Sequence, residues 1–509
     1  MSLEDADGYK NQGNIELKLN NYEKAVELYT KAIEINPTPI YYSNRAQANI
    51  KLENYGLAIL DANESIKLDK NYLKAYYRRS VANFAILEYK NALNDIKLVL
   101  KIHKNDKHAI LLEKEILKFI NQIKFENAIS IDENLSIINN LDFNSMIIEK
   151  NYTGELLDIQ VENLELSKND NKIGGKLIDK NNNQIVRINN LDLNFINKMI
   201  ESFKKNENLP KKYVLAIISC ANQIFLNESS LVEIEIDESK GEELITVVGD
   251  THGQFYDVLN LFKLFGDCNK KHKYLFNGDF VDRGSWSCEV AILLYCLKIL
   301  YPTQIFINRG NHETNDMNKV YGFEDECKSK YNFKIFQCFS ESFNNLPYAT
   351  LIGKNYLVMH GGLFSDDDIT IEDIRKIPKN SFKQPPKEGI QMELLWTDPQ
   401  VNEGRSPSKR GIGMQFGPDI TKRFVEKNNL KAIIRSHEVR MNGYEIEHDG
   451  KLITVFSAPN YCDVQGNLGA VVNINLNDSK EYQLNFETFE AVEHPNIPPM
   501  AYTKNNMGY

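Results

Sequence analysis

The sequence predicts a multidomain protein in which an all-α helical solenoid is followed by an α/β domain. One observation is that the first hundred residues repeat with a period of 33 to 34 residues. Another is that six short β-rich runs beyond residue 240 each end in a polar cluster. Because 509 residues with 42% hydrophobic content can bury at least two ordinary cores, the length also favours more than one domain.

The N-terminal repeats align on Tyr22, Tyr55 and Tyr89, at spacings of 33 and 34 residues, and an alanine follows each tyrosine three positions later. Antiparallel helices that cross closely need a small side chain at such a position, so this period predicts stacked helix pairs. The pattern resembles the tetratricopeptide repeat. We therefore predict a repeat domain over residues 1–120, with three repeats and a capping helix.

The concave face of such a solenoid would carry a set of polar side chains, Lys10, Asn14, Asn44, Lys74 and Arg78. These positions resemble the clamp of repeat domains that bind the acidic C-termini of heat-shock chaperones, which implies a peptide clamp here. Lys and Arg give charge-assisted hydrogen bonds to carboxylates, and Asn orients the peptide backbone. The alternative is that these are ordinary solvated helix residues.

The middle of the chain is rich in Asn, Lys and Asp, and we interpret residues 121–190 as a linker with an insertion, KNDNKIGGKLIDKNNNQ. Apolar residues return at helical spacing in LDLNFINKMIESFKK. A second domain is therefore predicted over residues 191–495, followed by a C-terminal tail over 496–509.

Candidate metal ligands follow the β-rich runs. Loops at strand ends can turn side chains inward while the strands hold them rigidly. Oxygen and imidazole ligands without thiolate suit manganese, iron or zinc, and six ligands are too many for one catalytic ion, so two divalent ions are expected. Taken singly each pattern is weak, since a lone DxH is more often a capped turn. The six candidates are Asp250, His252, Asp279, Asn311, His360 and His437.

Six sequence blocks in this region together resemble the phosphoprotein phosphatase family of serine/threonine phosphatases: GDTHGQ, GDFVDRG, RGNHE, HGG, RSHE and SAPNYC. The resemblance covers about residues 240–495 and implies an α/β metallophosphoesterase domain, with a central β-sandwich flanked by helices. It implies one metal ion on Asp250, His252 and Asp279, and a second on Asp279, Asn311, His360 and His437. Asp279 would then bridge the two ions, an arrangement suited to in-line phosphoryl displacement.

The same resemblance implies the catalytic side chains. Asp282 would orient His312, which would protonate the leaving serine or threonine oxygen while a metal-activated water attacks phosphorus. Arg283 and Arg410 would bind phosphoryl oxygens, with Tyr461 beside them. Arg410 is recognised mainly by the RG and FG around it. No phosphoenzyme is expected.

The repeat-bearing branch of the family is autoinhibited, with its repeat domain folded over the catalytic groove. Glu53 matches the acidic residue that occupies the phosphate site there, and its alternative role is a solvated charge at a helix end. A fatty acid is a candidate activator. The tail is shorter and more polar than the C-terminal helix of that branch, which predicts a leakier resting state. Asn308 stands where the family usually has leucine.

Composition narrows the partners and the location. The net charge of −10 argues against a general nucleic-acid binder, so we expect phosphoprotein substrates and protein partners. The seven cysteines are scattered and form no CxxC pair, which favours a reducing compartment. The opening residues are acidic, and the longest apolar run, VAILLYCLKIL, is too short to span a membrane. We expect a monomer in the cytoplasm, with the nucleus as a second location.

Two rival functions remain open from the sequence. A broader metallophosphoesterase that cleaves nucleotides or phosphodiesters shares the DxH, GDxxD and GNHE blocks, although VDRG and SAPNYC favour the protein phosphatase. A chaperone-bound adaptor with an inactive phosphatase scaffold is the other rival. The presence of every ligand disfavours it.

Overall fold

A computed structural model describes residues 3–129, 136–163, 172–173, 176–177, 184–379, 384–498 and 500–503. Most of the predicted insertion and the last six residues of the predicted tail lie outside the described residues. The chain divides into two compact units. Of the described residues, 3–129 and 406–415 belong to the first unit, and those of 136–405 and 416–503 belong to the second.

The described part of the first unit is built from seven helices, and the predicted helix pairs are confirmed. The alanine that follows each repeat tyrosine is buried without exposed surface, which lets the paired helices approach closely. The helices are α1 (Leu3–Lys18), α2 (Tyr22–Ile35), α3 (Pro39–Lys51), α4 (Tyr55–Leu68), α5 (Leu73–Ala85), α6 (Tyr89–Ile102) and α7 (Lys107–Ile129).

The turn inside each repeat has the same backbone conformation. Asn20, Glu53 and Leu87 each precede the second helix of their repeat by two residues and have φ of 64°, 60° and 66°. A single left-handed residue therefore reverses the chain in every repeat. Asparagine tolerates this conformation well, whereas Glu53 and Leu87 adopt it at a cost.

Part of the predicted linker belongs instead to the second unit. Its apolar side chains, among them Leu141, Phe143 and Val186, are buried in the same core as the helices of that unit. Helix α7 also continues to Ile129, beyond the predicted domain boundary at 120. The sequence did not reveal this packing because the buried apolar residues of the stretch are scattered and show no regular spacing.

The second unit alternates helices and strands. Its helices are α8 (Leu193–Lys204), α9 (Lys211–Asn227), α10 (Phe255–Phe265), α11 (Ser287–Leu300), α12 (Asn315–Tyr321), α13 (Phe323–Lys330), α14 (Phe333–Phe343), α15 (Ile371–Arg375), α16 (Ile390–Trp396) and α17 (Pro418–Lys427). Its longer strands are β1 (Ile159–Asn163), β4 (Gln184–Ile188), β5 (Leu231–Ile234), β6 (Leu244–Val248), β7 (His272–Phe276), β8 (Ile305–Ile307), β9 (Ala349–Ile352), β10 (Tyr356–Met359), β14 (Ala432–Arg435), β15 (Tyr444–Glu447), β16 (Leu452–Val455), β17 (Gly469–Leu476) and β18 (Tyr482–Phe489). The short strands are β2 (Lys172–Ile173), β3 (Lys176–Leu177) and β11 (Asp398–Pro399), with β12 (Arg405–Pro407) and β13 (Met414–Phe416) at the two ends of the segment 406–415 of the first unit.

Two large sheets of the second unit form the predicted β-sandwich. One has the strand order β15-β16-β14-β10-β9-β5, and the other has β18-β17-β6-β7-β8. A core of aliphatic side chains from both sheets, such as Val247, Val358 and Val455, lies between them. Separate apolar cores lie where helices cover the outer faces. The α/β fold class, with a central sandwich flanked by helices, is confirmed.

Strand β7 shows why these runs form central strands. Leu275 points into the core between the sheets, whereas Tyr274 and Phe276 point into the helical core on the other face. A strand buried on both faces is rich in apolar residues, and its side chains alternate between the two faces. In β7 the last three residues follow this pattern, whereas His272 and Lys273 are buried polar residues at its start. No helix in the described ranges is long and apolar enough to cross a membrane.

Candidate functional site

The candidate metal ligands lie in loops that follow parallel strands of both sheets. Strands β6, β7 and β8 run parallel in one sheet, and β10, β14 and β16 run parallel in the other. The two sheets meet beyond these strand ends, where a parallel bridge links Asp250 and Phe456. Six predicted ligands are buried at this edge: Asp250, His252, Asp279, Asn311, His360 and His437.

Asp279 lies between two groups of ligand atoms. One group contains His252, Asp279 and His312, and the other contains Asp279, His360 and His437. Within each group the ligand atoms lie within 4.8 Å of one another. Asp279 therefore has the central position that a bridging carboxylate needs.

The other two predicted ligands adjoin these groups. Asp250 Oδ2 lies 3.6 Å from His252 Nε2, and Asp250 Oδ1 accepts a hydrogen bond from the His437 backbone N–H at 3.1 Å. Asn311 Oδ1 lies 2.8 Å from His360 Nε2. The structure thus brings together all six side chains that the sequence predicts as ligands.

The orientation of His360 tests whether this donor set fits a metal ion. Its Nδ1 lies 2.9 Å from the Asn277 carbonyl oxygen, so Nδ1 donates there and, in the neutral ring that a metal ligand must have, Nε2 presents a lone pair. This lone pair faces Asp279 Oδ2 at 3.1 Å and His437 Nδ1 at 3.2 Å. The Asn311 amide oxygen also faces only acceptor atoms. Converging acceptors without thiolate fit a divalent ion such as manganese, iron or zinc.

The electrostatics of the site also favour bound cations. Burial is the largest influence on His360 and lowers its pKa, but the charge and hydrogen bond of Asp279, with the charge of Asp250 and the Asn277 carbonyl, together raise this pKa to about 9. Burial raises the pKa of Asp279, but the charges of His360 and His312 hold it well below its usual range. The carboxylates therefore require positive charge nearby, which a divalent cation would supply.

Five non-glycine residues of the site have a left-handed backbone. Their φ angles range from 40° to 73°. Each such residue costs roughly 1–2 kcal/mol, and this strain persists where the surrounding structure holds the chain in place. The five are His252, Asp279, Asp282, Arg283 and His437.

Glycines allow the loops after β7 and β8 to touch. Gly278 has a φ of 86°, and a Cβ atom there would lie 2.5 Å from the Gly310 Cα atom. Only glycine fits where the two backbones approach this closely. This contact places Asp279 next to the loop that carries Asn311 and His312.

His312 and Asp282 form the pair that the sequence predicts. His312 Nδ1 lies 2.8 Å from Asp282 Oδ2, and Asp282 has no exposed surface. Asp282 also accepts hydrogen bonds from Asn318 Nδ2 and the Phe323 backbone N–H, each at 2.9 Å. Because Asp282 engages Nδ1, Nε2 of His312 is the ring nitrogen left to act on a substrate.

Arg283 lies beside this pair. Its guanidinium carbon is 4.0 Å from the centroid of the Tyr321 ring, and the same ring is 5.2 Å from the His312 ring. The Tyr461 ring lies 5.1 Å from that of His252, and Arg283 and Tyr461 line one cavity. These two predicted phosphate-site residues therefore adjoin the candidate metal ligands.

The sequence argument missed the carboxylate of Glu313. It accepts hydrogen bonds from the backbone N–H groups of Asp279, Phe280 and Gly310 at 2.7, 3.0 and 2.8 Å. Burial and the charge of Asp279 raise the pKa of Glu313 to about 8. Glu313 thus fixes the two loops that carry the central ligands, and its place in the RGNHE block was the available signal.

Asn308, the departure from the family pattern, is fully buried and well bonded. Its Nδ2 donates to Asn277 Oδ1 at 2.9 Å, and its Oδ1 accepts from Thr350 Oγ1 at 2.7 Å. Asn277 in turn donates to the Met359 carbonyl at 2.8 Å. This network supports the Asn277 carbonyl that orients His360.

Three of the five clamp residues form a hydrogen-bonded row in the repeat unit. Asn44 Nδ2 donates to Asn14 Oδ1 at 3.2 Å, and Arg78 Nη1 donates to Asn44 Oδ1 at 3.3 Å. Lys74 is exposed one turn before Arg78 on α5, and Lys10 lies one turn before Asn14 on α1. Desolvation by burial lowers the pKa of Arg78 to about 10.

Arg410 lies in the segment 406–415, which belongs to the first unit. The backbone N–H groups of Gly56 and Leu57, at the start of α4, donate to the Lys409 carbonyl at 2.9 and 3.2 Å. A Cβ atom on Gly56 would lie 2.6 Å from the Gly411 nitrogen, so glycine is required for this approach.

Glu53 lies at the turn before α4, half-buried and with a left-handed backbone. The predicted place of Glu53 in the phosphate site, and that of Arg410 beside Arg283, would each involve residues of both units. Both stay predictions.

Comparisons with known proteins agree with this organisation. Residues 244–441 match the calcineurin-like phosphoesterase family, 113–233 match the PPP5 TPR repeat region, and 6–39 match the tetratricopeptide repeat. Serine/threonine-protein phosphatase T of Aspergillus oryzae is 49% identical over 99% of this chain and 98% of its own length. Serine/threonine-protein phosphatase 5 of Homo sapiens is 44% identical over 98% of this chain and 93% of its own length.

A solved structure is also similar. It is a protein serine/threonine phosphatase from Saccharomyces cerevisiae, described as similar to human phosphatase PP5. It is 57% identical to this chain, with a TM-score of 0.58, and the match covers 61% of this chain and 100% of that one. From these relatives and the folded metallophosphoesterase domain, the chain belongs to the serine/threonine-protein phosphatase 5/T family of metal-dependent protein phosphatases with N-terminal tetratricopeptide repeats.

Proposed function

We propose that this phosphatase uses two divalent ions to hydrolyse phosphoserine and phosphothreonine in proteins. The observation that carries the proposal is the central position of Asp279 between two groups of buried acceptor atoms. One ion would be held by Asp250, His252 and Asp279, and the other by Asp279, Asn311, His360 and His437. Manganese, iron and zinc suit these donors.

The chain's own residues divide the remaining work. Bound ions supply the Lewis acidity that activates a water for in-line attack on phosphorus. Arg283 binds phosphoryl oxygens through its guanidinium fork. Asp282 holds Nδ1 of His312, so that Nε2 donates its proton to the departing alkoxide.

Substrate class and metal dependence can be tested together. Wild-type protein and Asp279→Asn would be assayed on a phosphoserine peptide, bis-p-nitrophenyl phosphate and a dinucleotide, with metal content measured by mass spectrometry. We expect preference for the peptide, about two ions per wild-type chain, fewer in the variant, and loss of turnover after chelation. Preference for the diester or dinucleotide would favour the broader metallophosphoesterase.

We also propose that the repeat unit binds the acidic C-terminal peptides of heat-shock chaperones. The row Asn14–Asn44–Arg78 offers amide groups and a guanidinium on neighbouring helices, and Lys74 and Lys10 add cations one helical turn away. A terminal carboxylate and an acidic side chain would bind the cations, and the Asn amides would bind the peptide backbone.

The clamp is tested by the affinity of a chaperone C-terminal peptide. Lys74→Ala with Arg78→Ala should weaken binding by at least about 100-fold, because charge-assisted hydrogen bonds contribute 1.5–3 kcal/mol each. Lys67→Ala is the matched control, since Lys67 is an exposed cation paired with Glu64 in the same unit. Equal loss of affinity in the control would indicate a general charge effect and contradict the clamp.

Autoinhibition by the repeat unit is the third part of the proposal. The segment that carries Arg410 is hydrogen-bonded to the start of α4, three to four residues after Glu53. Glu53 would offer a carboxylate to the arginines that otherwise bind phosphate. An acidic peptide or a fatty acid that displaced this arrangement would raise activity.

Two substitutions separate the charge of Glu53 from the packing of α4. Glu53→Gln removes the charge, and Gly56→Ala forces α4 away from Gly411. Both should raise basal turnover of a phosphoserine peptide severalfold. Gly8→Ala is the control for the second variant, because Gly8 lies on α1 with no atom within 4 Å of an added Cβ. Unchanged basal turnover in Glu53→Gln would contradict the plug.

A further inference from the structure

The C-terminal end of the described chain is bonded to the loop that carries Arg283. Ser285 Oγ donates to the Pro498 carbonyl at 3.2 Å and accepts from the Ala501 backbone N–H at 3.2 Å. Ser285 lies only two residues after Arg283. Pro498 and residues 500–503, called the C-terminal segment below, are therefore attached to this loop.

The same segment reaches Arg283 by a second route, through Tyr321. Thr503 Oγ1 donates to the Tyr321 carbonyl at 3.0 Å. That carbonyl also accepts the backbone N–H of Arg283 at 3.0 Å, and the Tyr321 ring lies under the guanidinium. Tyr321 thus fixes both ends of Arg283, and Thr503 fixes Tyr321.

The C-terminal segment is packed tightly against the residues around Tyr321 and Arg283. Met500 and Thr503 are each 7% exposed, and Met500 lines the cavity that Arg283 also lines. A Cβ atom on Gly322 would lie 3.0 Å from the Thr503 nitrogen, so α12 and the segment are in close backbone contact. Little room remains for Tyr321 to shift.

Arg283 needs such support because its backbone is strained. Both Asp282 and Arg283 have φ of 70°. Two consecutive left-handed residues are energetically costly, so the loop would relax unless neighbouring groups held it. Hydrogen bonds at the Arg283 N–H and at the Ser285 hydroxyl oppose that relaxation.

We propose that the C-terminal segment is a positioning element for the phosphate-binding guanidinium of Arg283, acting through Ser285 and Tyr321. The proposal rests on the role of Arg283 given above. It assigns to Thr503 and Ser285 an effect on phosphate recognition. Both residues would act through the position of Arg283, and His312 keeps its own support from Asp282.

Thr503→Val in the full chain tests the claim. It removes the hydroxyl that bonds the Tyr321 carbonyl and keeps the shape of the side chain. We expect the KM for a phosphoserine peptide and the inhibition constant of inorganic phosphate to rise about fivefold, the effect of one net hydrogen bond, with kcat changed less than twofold. Ser285→Ala should act in the same direction, and Thr503→Ser should restore wild-type values.

Two further variants separate positioning from a general loss of stability. In an Arg283→Ala background, Thr503→Val should change neither constant, because the group it positions is absent. Thr488→Val, at an exposed threonine on β18, is the matched control and should behave as wild type.

Direct phosphate binding keeps the result separate from the proposed reaction. Inorganic phosphate binding measured by calorimetry needs no turnover, so failure of wild-type turnover would contradict the proposed function alone. Unchanged phosphate affinity in Thr503→Val, or an equal loss with and without Arg283, would overturn the positioning role.

Discussion

The repeat unit and the catalytic unit place polar side chains in opposite ways. Clamp residues such as Asn14, Asn44 and Arg78 project from helices with ordinary backbone angles. In the catalytic unit, His252 and Asp279 are buried in post-strand loops with positive φ. The candidate peptide clamp is thus formed by regular helices, whereas the candidate metal site is formed by strained loops with many buried charges.

The difference suggests where stability and function oppose each other. Buried charges and strained backbone cost free energy, so the catalytic unit should gain stability when some of these groups are neutralised. The clamp helices carry no comparable strain, so their substitution should change binding and leave stability nearly constant. Each prediction below tests one side of this contrast.

The largest expected effect is on catalysis. His312→Asn should lower kcat for a phosphoserine peptide by roughly 10²–10⁴-fold, because no group then protonates the alkoxide. The loss should be much smaller with p-nitrophenyl phosphate, whose leaving group needs no proton. Thermal melting should change little. Equal losses for the two substrates would contradict the role of His312 as proton donor.

The sequence could bring the candidate ligands to attention because each belongs to a short block next to a strand end. Asp250, Asp279 and His360 needed only local context. The bracing of Arg283 could not be predicted, because Tyr321 and Thr503 lie 38 and 220 residues away and no spacing links them. Likewise, Leu141 and Phe143 show no periodicity in an Asn-rich stretch, although they are buried.

A smaller effect is expected for Asp257, a buried carboxylate near the candidate site. Burial is the main cause that raises its pKa from 3.8 to about 6, and the charge of Asp463 adds to this rise. Hydrogen bonds from the Val492 backbone and Gln254, and the charge of His494, act in the opposite direction. The pKa of Asp257 is higher in the folded state than in the unfolded state. The stability that its protonated carboxyl group contributes is therefore fully present below about pH 4 and is lost as pH rises through about 6.

Asp257→Asn should therefore stabilise the protein at neutral pH. The pKa shift of Asp257 corresponds to a gain in the free energy of unfolding of about 3 kcal/mol at pH 7.5 and about half of that at pH 5. Asn keeps an acceptor for the Val492 N–H. Urea unfolding at the two pH values measures the change. A gain that does not fall with pH would show that ionisation of Asp257 is not its source.

Asn308 tests whether every buried polar group in the catalytic unit is a cost. Its network is satisfied, so Asn308→Leu should destabilise the protein by about 1–3 kcal/mol by leaving Asn277 Oδ1 and Thr350 Oγ1 without partners. Adding Thr350→Val should recover part of the loss, because it removes one of those groups. Urea unfolding of both variants gives the coupling. Additive effects would show that the two side chains do not act as one network.

The smallest effect concerns the repeat unit, where strain is confined to the turns. Glu53 has the left-handed conformation that Asn20 has in the first repeat. Glu53→Asn should stabilise the unit by about 0.5–1 kcal/mol, because asparagine tolerates this conformation at lower cost. Asn20→Glu should have the opposite sign and a somewhat larger size, since it also removes the hydrogen bond from Tyr22 Oη to Asn20 Oδ1 at 2.8 Å.

Urea unfolding of the repeat unit measures both changes, and peptide turnover measures their consequence. If Glu53 is retained for inhibition, Glu53→Asn raises both stability and basal activity, whereas Asn20→Glu lowers stability alone. If Glu53→Asn destabilised the repeat unit, the left-handed conformation of Glu53 would carry no free-energy cost that asparagine relieves. The contrast between strained catalytic loops and regular repeat helices would then hold without exception, since no residue of the repeat unit would carry strain for a functional reason.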